Sequence, residues 1–426
     1  MIVAALFSLF IILFLLNVPI AISLAMSTIA VIMATSDFNM MMIPQRMFAG
    51  LNSAPLMAIP GYVLAGVLMS KGGVSKYLIN ALRSWIGHLP GGLSVVTILS
   101  CMIFAAISGS SPATAAAIGA IMLPAMEKGG YPKRYTMGLI AASGTLGILI
   151  PPSIPLIVYG VTSDESIGKL FMAGILPGLL LGGILVAIAI IYAKKNNYGI
   201  GEKYSWAERW RATVKAIPGA FLPVLILGTI YKGVATPTEA AVVAVFYTII
   251  ISAFVYKELH FKDIRPVLRE TINTSSMIFL IIAAAMVFAL FLTNNQVPNK
   301  VAQWIGEANL NVFMFFLVTQ LMFFIMGTFL EAVSIILITL PILLPIIKHL
   351  GIDPIHFAIV MTVNMELAMI TPPVGLNLFV VSSMAKERLE EVVRGVLPFI
   401  AIMIVVLLVL VIWPDISLYL PREVMK

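Results

Sequence analysis

Two pairs of adjacent prolines sit inside apolar runs, at Gly147-Ile148-Leu149-Ile150-Pro151-Pro152-Ser153 and at Ala368-Met369-Ile370-Thr371-Pro372-Pro373-Val374-Gly375-Leu376-Asn377. Proline lacks an N–H and clashes with the turn before it, so each run must break a helix. Unwound backbone at membrane depth is tolerated only where it lines a cavity or is buried in protein. The carbonyls freed there, those of Gly147 and Ile150 and of Ala368 and Thr371, stand beside the negative end of a half-helix. Such donors suit sodium.

Two further stretches supply hydroxyls. Ser108-Gly109-Ser110-Ser111-Pro112-Ala113-Thr114 reads as a turn followed by a helix start, with Ser111 as cap and Pro112 at the first helical position. Free N–H groups at that start favour an anion, and the hydroxyls and carbonyls beside them serve a hard cation. Gly327-Thr328-Phe329-Leu330-Glu331 reads as the matching turn, with Thr328 and Glu331 forming a T-x-x-E capping box; Thr236 and Glu239 repeat that pattern. Small residues that merely let helices pack closely are the plainer reading of the first turn. Glu366, aligned with Thr145 of the first half, is the clearest acid inside an apolar run, and an intramembrane acid is a functional candidate. With so little proton-carrying chemistry in the interior, sodium is favoured over protons as the coupling ion.

The elements that must position these residues follow from composition. Sixty-one per cent of the 426 residues are hydrophobic, 11% are charged, and mean hydropathy is +1.06. A soluble domain carries about a quarter charged residues. Apolar runs of roughly 20 residues recur from end to end, the length that crosses a hydrocarbon layer, and lipid then demands helices. The amino terminus lacks a basic n-region and a cleavage site, so its apolar stretch reads as a retained span. Cys101 is the single cysteine, which excludes an internal disulfide and any cysteine cluster. The net charge of +7 sits in short clusters between spans, which speaks for membrane orientation and against nucleic acid.

Spans are expected at 2–16, 18–36, 52–70, 135–162, 168–193, 216–232, 236–256, 270–293, 354–383 and 390–412, with re-entrant hairpins at 92–127 and 309–349. Trp85-Ile86-Gly87 recurs as Trp304-Ile305-Gly306, Pro151-Pro152 as Pro372-Pro373, Gly174 as Gly395 and Leu176-Pro177 as Leu397-Pro398, at offsets of 219 to 221 residues. The chain is therefore two halves. Each half holds an odd number of crossings, five spans plus a hairpin, so the second half enters the membrane inverted. Placing the basic loop 194–215 in the cytoplasm puts 19 of 26 basic residues there and both termini outside. Trp206 and Trp210 in that loop suggest an interfacial helix joining the halves. The fold class is an all-α polytopic membrane protein with an inverted repeat of five spans and one re-entrant hairpin.

Two other classes are weaker. An intramembrane serine hydrolase built on Gly109-Ser110-Ser111-Pro112 needs a base, and His88, His260, His349 and His356 all fall in loops or span ends. A passive channel or purely structural subunit fits poorly with inverted repeats and broken helices, which favour alternating access.

Ser108–Ala116, Gly147–Ser153, Ala235–Ala241 and Ala368–Asn377 together resemble, over essentially the whole chain, the large membrane subunit of the tripartite ATP-independent periplasmic (TRAP) transporters. The sialic acid group looks most similar, and C4-dicarboxylate importers share every motif. The resemblance implies sodium-coupled import of a small organic acid in a bacterial inner membrane, a small membrane subunit of four helices as a separate chain, and a periplasmic substrate-binding protein. It also implies an elevator mechanism, with scaffold segments at 1–91 and 216–308, transport-domain segments at 92–193 and 309–412, a connector at 194–215 and a tail at 413–426. Two sodium sites are expected, at Ser108, Ser110, Gly147, Ile150 and Pro152, and at Gly327, Thr328, Ala368, Thr371 and Pro373. Substrate is expected at Ser111, Thr114, Thr145, Ser153, Glu366 and Asn377.

Overall fold

A computed structural model describes residues 2–35, 39–196, 198, 203–307 and 311–424. Among the described residues every element is helical. Among them the two halves open differently, with five α-helices in the first and four in the second, and then follow the same order of elements. The first half begins with Ile2–Leu15, Ile20–Thr35 and Met42–Leu51, then runs through a short tight turn into Ala58–Lys71 and ends this part with Val74–Ile86. The second half begins with Trp206–Tyr231, Pro237–Ile250, the 34-residue Phe261–Asn294 and Val297–Glu307. Each then continues with a hairpin, a broken span and a long helix. Hairpin 1 has arms Gly92–Ser108 and Ser111–Lys128, and hairpin 2 has arms Val312–Gly327 and Ala332–His349.

Broken span 1 comprises Lys133–Thr145, one tight turn to Ile148, and Ile154–Ser163; broken span 2 comprises Pro354–Ala368 and Leu376–Ala385. Each interruption contains the expected proline pair, and Pro151-Pro152 and Pro372-Pro373 are both cis. The long helices are Ile167–Lys195 and Leu389–Ile412, and Asp415–Val424 closes the chain. Seven described helices are long and apolar enough to cross a membrane. The chain is a multi-pass membrane protein. The first two helices are shorter than the expected spans, at 14 and 16 residues, and each expected broken span is split between two short helices, so none of these is among the seven.

The connector departs from its sequence reading. Residues 197 and 199–202 lie outside the described set, and Trp206 to Lys215 are not a separate interfacial helix but the first turns of one 26-residue helix ending at Tyr231. The cause is a capping box: Glu208 N–H donates to Ser205 Oγ at 3.3 Å, and Ser205 N–H donates to the Glu208 carboxylate at 2.7 Å. Trp85 fastens this helix to Val74–Ile86 by donating its indole N–H to Thr213 Oγ1 at 2.8 Å. The Thr236–Glu239 box does start its span as the sequence indicates, with Thr236 N–H on the Glu239 carboxylate at 2.7 Å.

Glycine permits a close join between halves. A Cβ at Gly138 would stand 2.0 Å from the Gly395 carbonyl oxygen, so Lys133–Thr145 and Leu389–Ile412 meet backbone to backbone. Arg134 clamps the same pair of helices, its guanidinium donating to Glu391 at 2.6 and 2.9 Å. Lys133 adds an ion pair with Glu387 at 2.9 Å. That bond holds the Glu387 carboxyl below its ordinary range and the Lys133 ammonium above its own.

Candidate functional site

Hairpin 1 turns where Gly109 adopts a left-handed φ of 59°, which a side chain disfavours. Its second arm starts one residue earlier than the sequence suggests. Ser110 occupies the cap position with extended backbone, Ser111 is the first helical residue, and neither caps the helix with its side chain. Instead Ser108 Oγ and Thr114 Oγ1 pair at 2.8 Å, and Thr114 Oγ1 also donates to the Ser110 carbonyl at 2.8 Å. The tip lies on the first break. Ile154 N–H donates to the Gly109 carbonyl at 3.4 Å. A Cβ on Gly109 would stand 2.8 Å from the Pro152 carbonyl oxygen, and one on Gly147 would stand 2.6 Å from the Ser110 carbonyl oxygen and 2.8 Å from Thr114 Oγ1. Ser108, Ser110, Gly147, Pro152 and Thr114 are therefore one cluster. Ile150 shares the break, but its side chain packs on Gly178, where a Cβ would meet it at 2.7 Å.

Hairpin 2 meets the second break in the same manner. Gly375 N–H donates to the Thr328 carbonyl at 3.1 Å, and a Cβ on Gly327 would stand 2.4 Å from the Ala368 Cβ. Thr371 lies one turn beyond Leu367, to whose carbonyl its hydroxyl donates at 2.8 Å. Gly327, Thr328, Ala368 and Thr371 form the second cluster, while Pro373 is exposed. The capping box expected at Thr328 and Glu331 is absent. Thr328 ends the first arm and donates its hydroxyl to the Ile325 carbonyl at 2.8 Å, whereas Glu331 itself takes the cap position with no side-chain bond to the helix. The turn is thus three residues longer than a T-x-x-E box at Thr328 would leave it, because the second arm begins at Ala332 rather than at Phe329.

Of the substrate candidates, Asn377 and Ser111 come together. Asn377, 0% exposed, donates its amide to Ser111 Oγ at 2.8 Å and to the Ala141 carbonyl at 3.1 Å. This pair joins the second half to the start of hairpin 1's second arm. Ser153 and Thr145 have structural partners: Ser153 donates to the Ile148 carbonyl and caps Ile154–Ser163, and Thr145 donates to the Ala142 carbonyl at 2.7 Å. Glu366 is 0% exposed and neither carboxyl oxygen has a hydrogen-bond partner among the described residues. The partner of Ser111 is an amide rather than a base. His356, at the start of Pro354–Ala368 but 2% exposed, bonds Ser417 at 2.8 Å, so no catalytic dyad forms at the hairpin tip.

A cavity of about 460 Å³ opens between hairpin 1 and helices Ala58–Lys71 and Phe261–Asn294. Ser108 and Ser110 form one wall; Gly66, Ser70, Lys71 and Thr274 form the facing one. A second cavity, of about 660 Å³, lies at the tip of hairpin 2, between Phe329, Glu331 and Val374 on one side and Phe14, Asn17 and Met277 on the other. Each hairpin tip therefore faces its own cavity across from helices of the opening segments. The facing walls were missed from sequence because Lys71 reads as one more basic loop residue and Thr274 as one more polar residue in a long span.

Residues 7–416 match the family described as "Tripartite ATP-independent periplasmic transporter, DctM component". The chain belongs to this family. Over 400 residues this DctM-family chain is 43% identical to the C4-dicarboxylate TRAP transporter large permease protein DctM of Pseudomonas aeruginosa, covering 94% of each. It is 33% identical over 406 residues to the sialic acid TRAP transporter large permease protein SiaM of Vibrio cholerae, covering 95% of each. The expectation that the sialic acid group is most similar is corrected by that ranking. The motifs behind it lie on hairpin tips and helix breaks that both groups share, so they carry no substrate signal. The DctM-family backbone also resembles the crystal structure of the Alcanivorax borkumensis YdaH transporter, with TM-score 0.61 over 88% of this chain and 87% of that one, at 15% identity. That likeness concerns the fold.

Proposed function

We propose that this DctM-family permease imports a C4-dicarboxylate, driven by sodium, as the large membrane subunit of a three-part system. The observation that carries the proposal is the 460 Å³ cavity, lined by Ser108 and Ser110 on the hairpin side and by Lys71, beside Glu270, on the opposite wall. Hydroxyls, a helix start and a cation are the chemistry that receives a carboxylate. The 43% identity to a C4-dicarboxylate permease supports the substrate class.

The first cluster, at Ser108, Ser110, Gly147 and Pro152 with the Ile150 carbonyl beside it, offers the oxygens for one sodium ion, and the Gly327, Thr328, Ala368 and Thr371 cluster offers those for a second. Sodium needs several oxygen donors within one shell, and a broken helix supplies unpaired carbonyls at mid-depth. Pro373 is dropped from the second set because of its exposure. The order hairpin, broken span, long helix in each half, with the motif pairs offset by 219 to 221 residues in the sequence, supports two inverted halves. The hairpins and broken spans then form a transport body that moves against the remaining helices. In that reading a separate four-helix membrane subunit flanks the scaffold, and a soluble periplasmic protein delivers the acid to a complex in the bacterial inner membrane.

Expressing the chain with its small subunit and binding protein in a host lacking C4-dicarboxylate uptake tests the reading. Growth on succinate that requires all three proteins is the expected outcome. Growth restored on a neutral sugar but on no organic acid would overturn it.

A further inference from the structure

Lys71 is the last residue of Ala58–Lys71 and lines the 460 Å³ cavity opposite the hairpin 1 tip. The hairpin side of that cavity is built from Ser108, Ser110, alanines, Phe104 and Ile121, and carries no charge. Full charges line it only on the facing wall, at Lys71 and Glu270. An adjoining cavity of about 400 Å³ shares Glu270 and Thr274 and adds Arg265 and Arg269. The two neighbouring cavities are thus lined between them by three cations and one anion. None of these four side chains takes part in an ion pair among the described residues. Their charge is not spent on one another, and a cation without a protein partner beside a cavity is available to an anionic ligand.

Lysine at the end of a helix also complements the helix dipole. That role accounts for the position of Lys71 in sequence, as membrane orientation accounts for Arg265 and Arg269 between spans; neither requires that these cations line cavities beside the hairpin tip.

We propose that Lys71 is the scaffold's contact for the second carboxylate of a dianionic acid whose first carboxylate rests at the hairpin 1 tip, and that Arg265 and Arg269 line its exit. This rests on the carboxylate-import reading above and deepens it, since it makes the permease itself selective for two negative charges. A ligand spanning two walls also has a mechanical consequence. If the hairpin and the facing helices move relative to each other, Lys71 reaches the ligand in one arrangement only, and its contact favours that arrangement by its share of the binding energy.

The test is equilibrium binding of succinate and of succinamate, its singly charged half-amide, to the purified complex of this chain with its small subunit in sodium buffer. Leaving out the soluble protein removes that protein's own selectivity. The wild-type complex is expected to prefer succinate. Lys71→Gln is expected to weaken succinate about 10- to 100-fold, the size of one lost charge-assisted contact, to leave succinamate unchanged and to keep the wild-type melting temperature. Lys71→Arg is expected to retain the preference, and Lys71→Met, which keeps the apolar stem, replaces the glutamine variant if that one does not fold. A preference that survives Lys71→Gln, or an equal loss for both ligands, overturns the proposal while leaving carboxylate import standing. A wild-type complex that binds neither acid overturns the import reading itself.

Discussion

The Asn377 amide donates to Ser111 Oγ at 2.8 Å and to the Ala141 carbonyl at 3.1 Å, tying the second broken span to both hairpin 1 and the first broken span. All three groups are buried, so the bonds are made in a low-dielectric interior where an orphaned partner is costly. Asn377→Ala leaves one carbonyl and one hydroxyl without this donor, and its expected cost is about 1–3 kcal/mol. Asn377→Asp costs more, because it turns an acceptor toward the Ala141 carbonyl. Thermal melting of the purified complex checks the order wild type, then alanine, then aspartate; an aspartate variant as stable as wild type would contradict it.

Gly147 and Gly327 are the points where each break touches a hairpin tip. A Cβ at Gly147 would press on the Ser110 carbonyl, and one at Gly327 on the Ala368 Cβ, which is fixed to backbone and cannot rotate away. Gly147→Ala and Gly327→Ala are each expected to raise the sodium concentration for half-maximal uptake by at least about tenfold, since small displacements of oxygen donors weaken a hard-cation site. Sodium titration of uptake distinguishes the two, and the double variant is expected to abolish sodium dependence.

Glu366 predicts opposite changes in stability and function. Its carboxyl is fully buried with both oxygens unpartnered. Replacing an unsatisfied polar group by an apolar one of similar size is neutral or stabilising. Glu366→Leu is therefore expected to melt no lower than wild type yet to transport poorly, the pattern of a group kept for activity. Normal transport by the leucine variant would remove Glu366 from the site.

The Lys133–Glu387 ion pair gives a pH dependence of known sign. The lysine holds the Glu387 carboxyl below its ordinary range. Its contribution is therefore complete above the ordinary carboxylate value of about 4.3 and lost as pH falls through the lowered one. The melting-temperature gap between wild type and Glu387→Gln is expected to stay constant from neutral pH down to about pH 4 and to close below it.

Much of this architecture is legible in the sequence because the lipid leaves few options. Apolar runs, the proline pairs and the basic clusters each answer to a single strong constraint, and they place the helices and the two breaks. Details set by one or two residues are harder to read. Ser110 and Glu331 take cap positions that sequence gives to Ser111 and Thr328: the first turn is one residue shorter than expected and the second three residues longer, and the same composition allows either. The connector merges into Trp206–Tyr231 because Ser205 and Glu208 start a helix whose sequence also fits a surface segment. Lys71 was hidden for a different reason. Its partner wall lies on hairpin 1, dozens of residues away, and only the packing of Gly66 against Ser108, where a Cβ would meet the Ser108 Cα at 3.0 Å, brings the two together.

The central claim is that a sodium gradient drives import of a dicarboxylate through this chain. Its most direct test is uptake of labelled succinate into proteoliposomes holding the chain and its small subunit, with the cognate soluble protein outside. The account predicts accumulation above the external concentration that needs both the soluble protein and an inward sodium gradient, and that collapses when potassium replaces sodium. Equal uptake with and without the sodium gradient would contradict it.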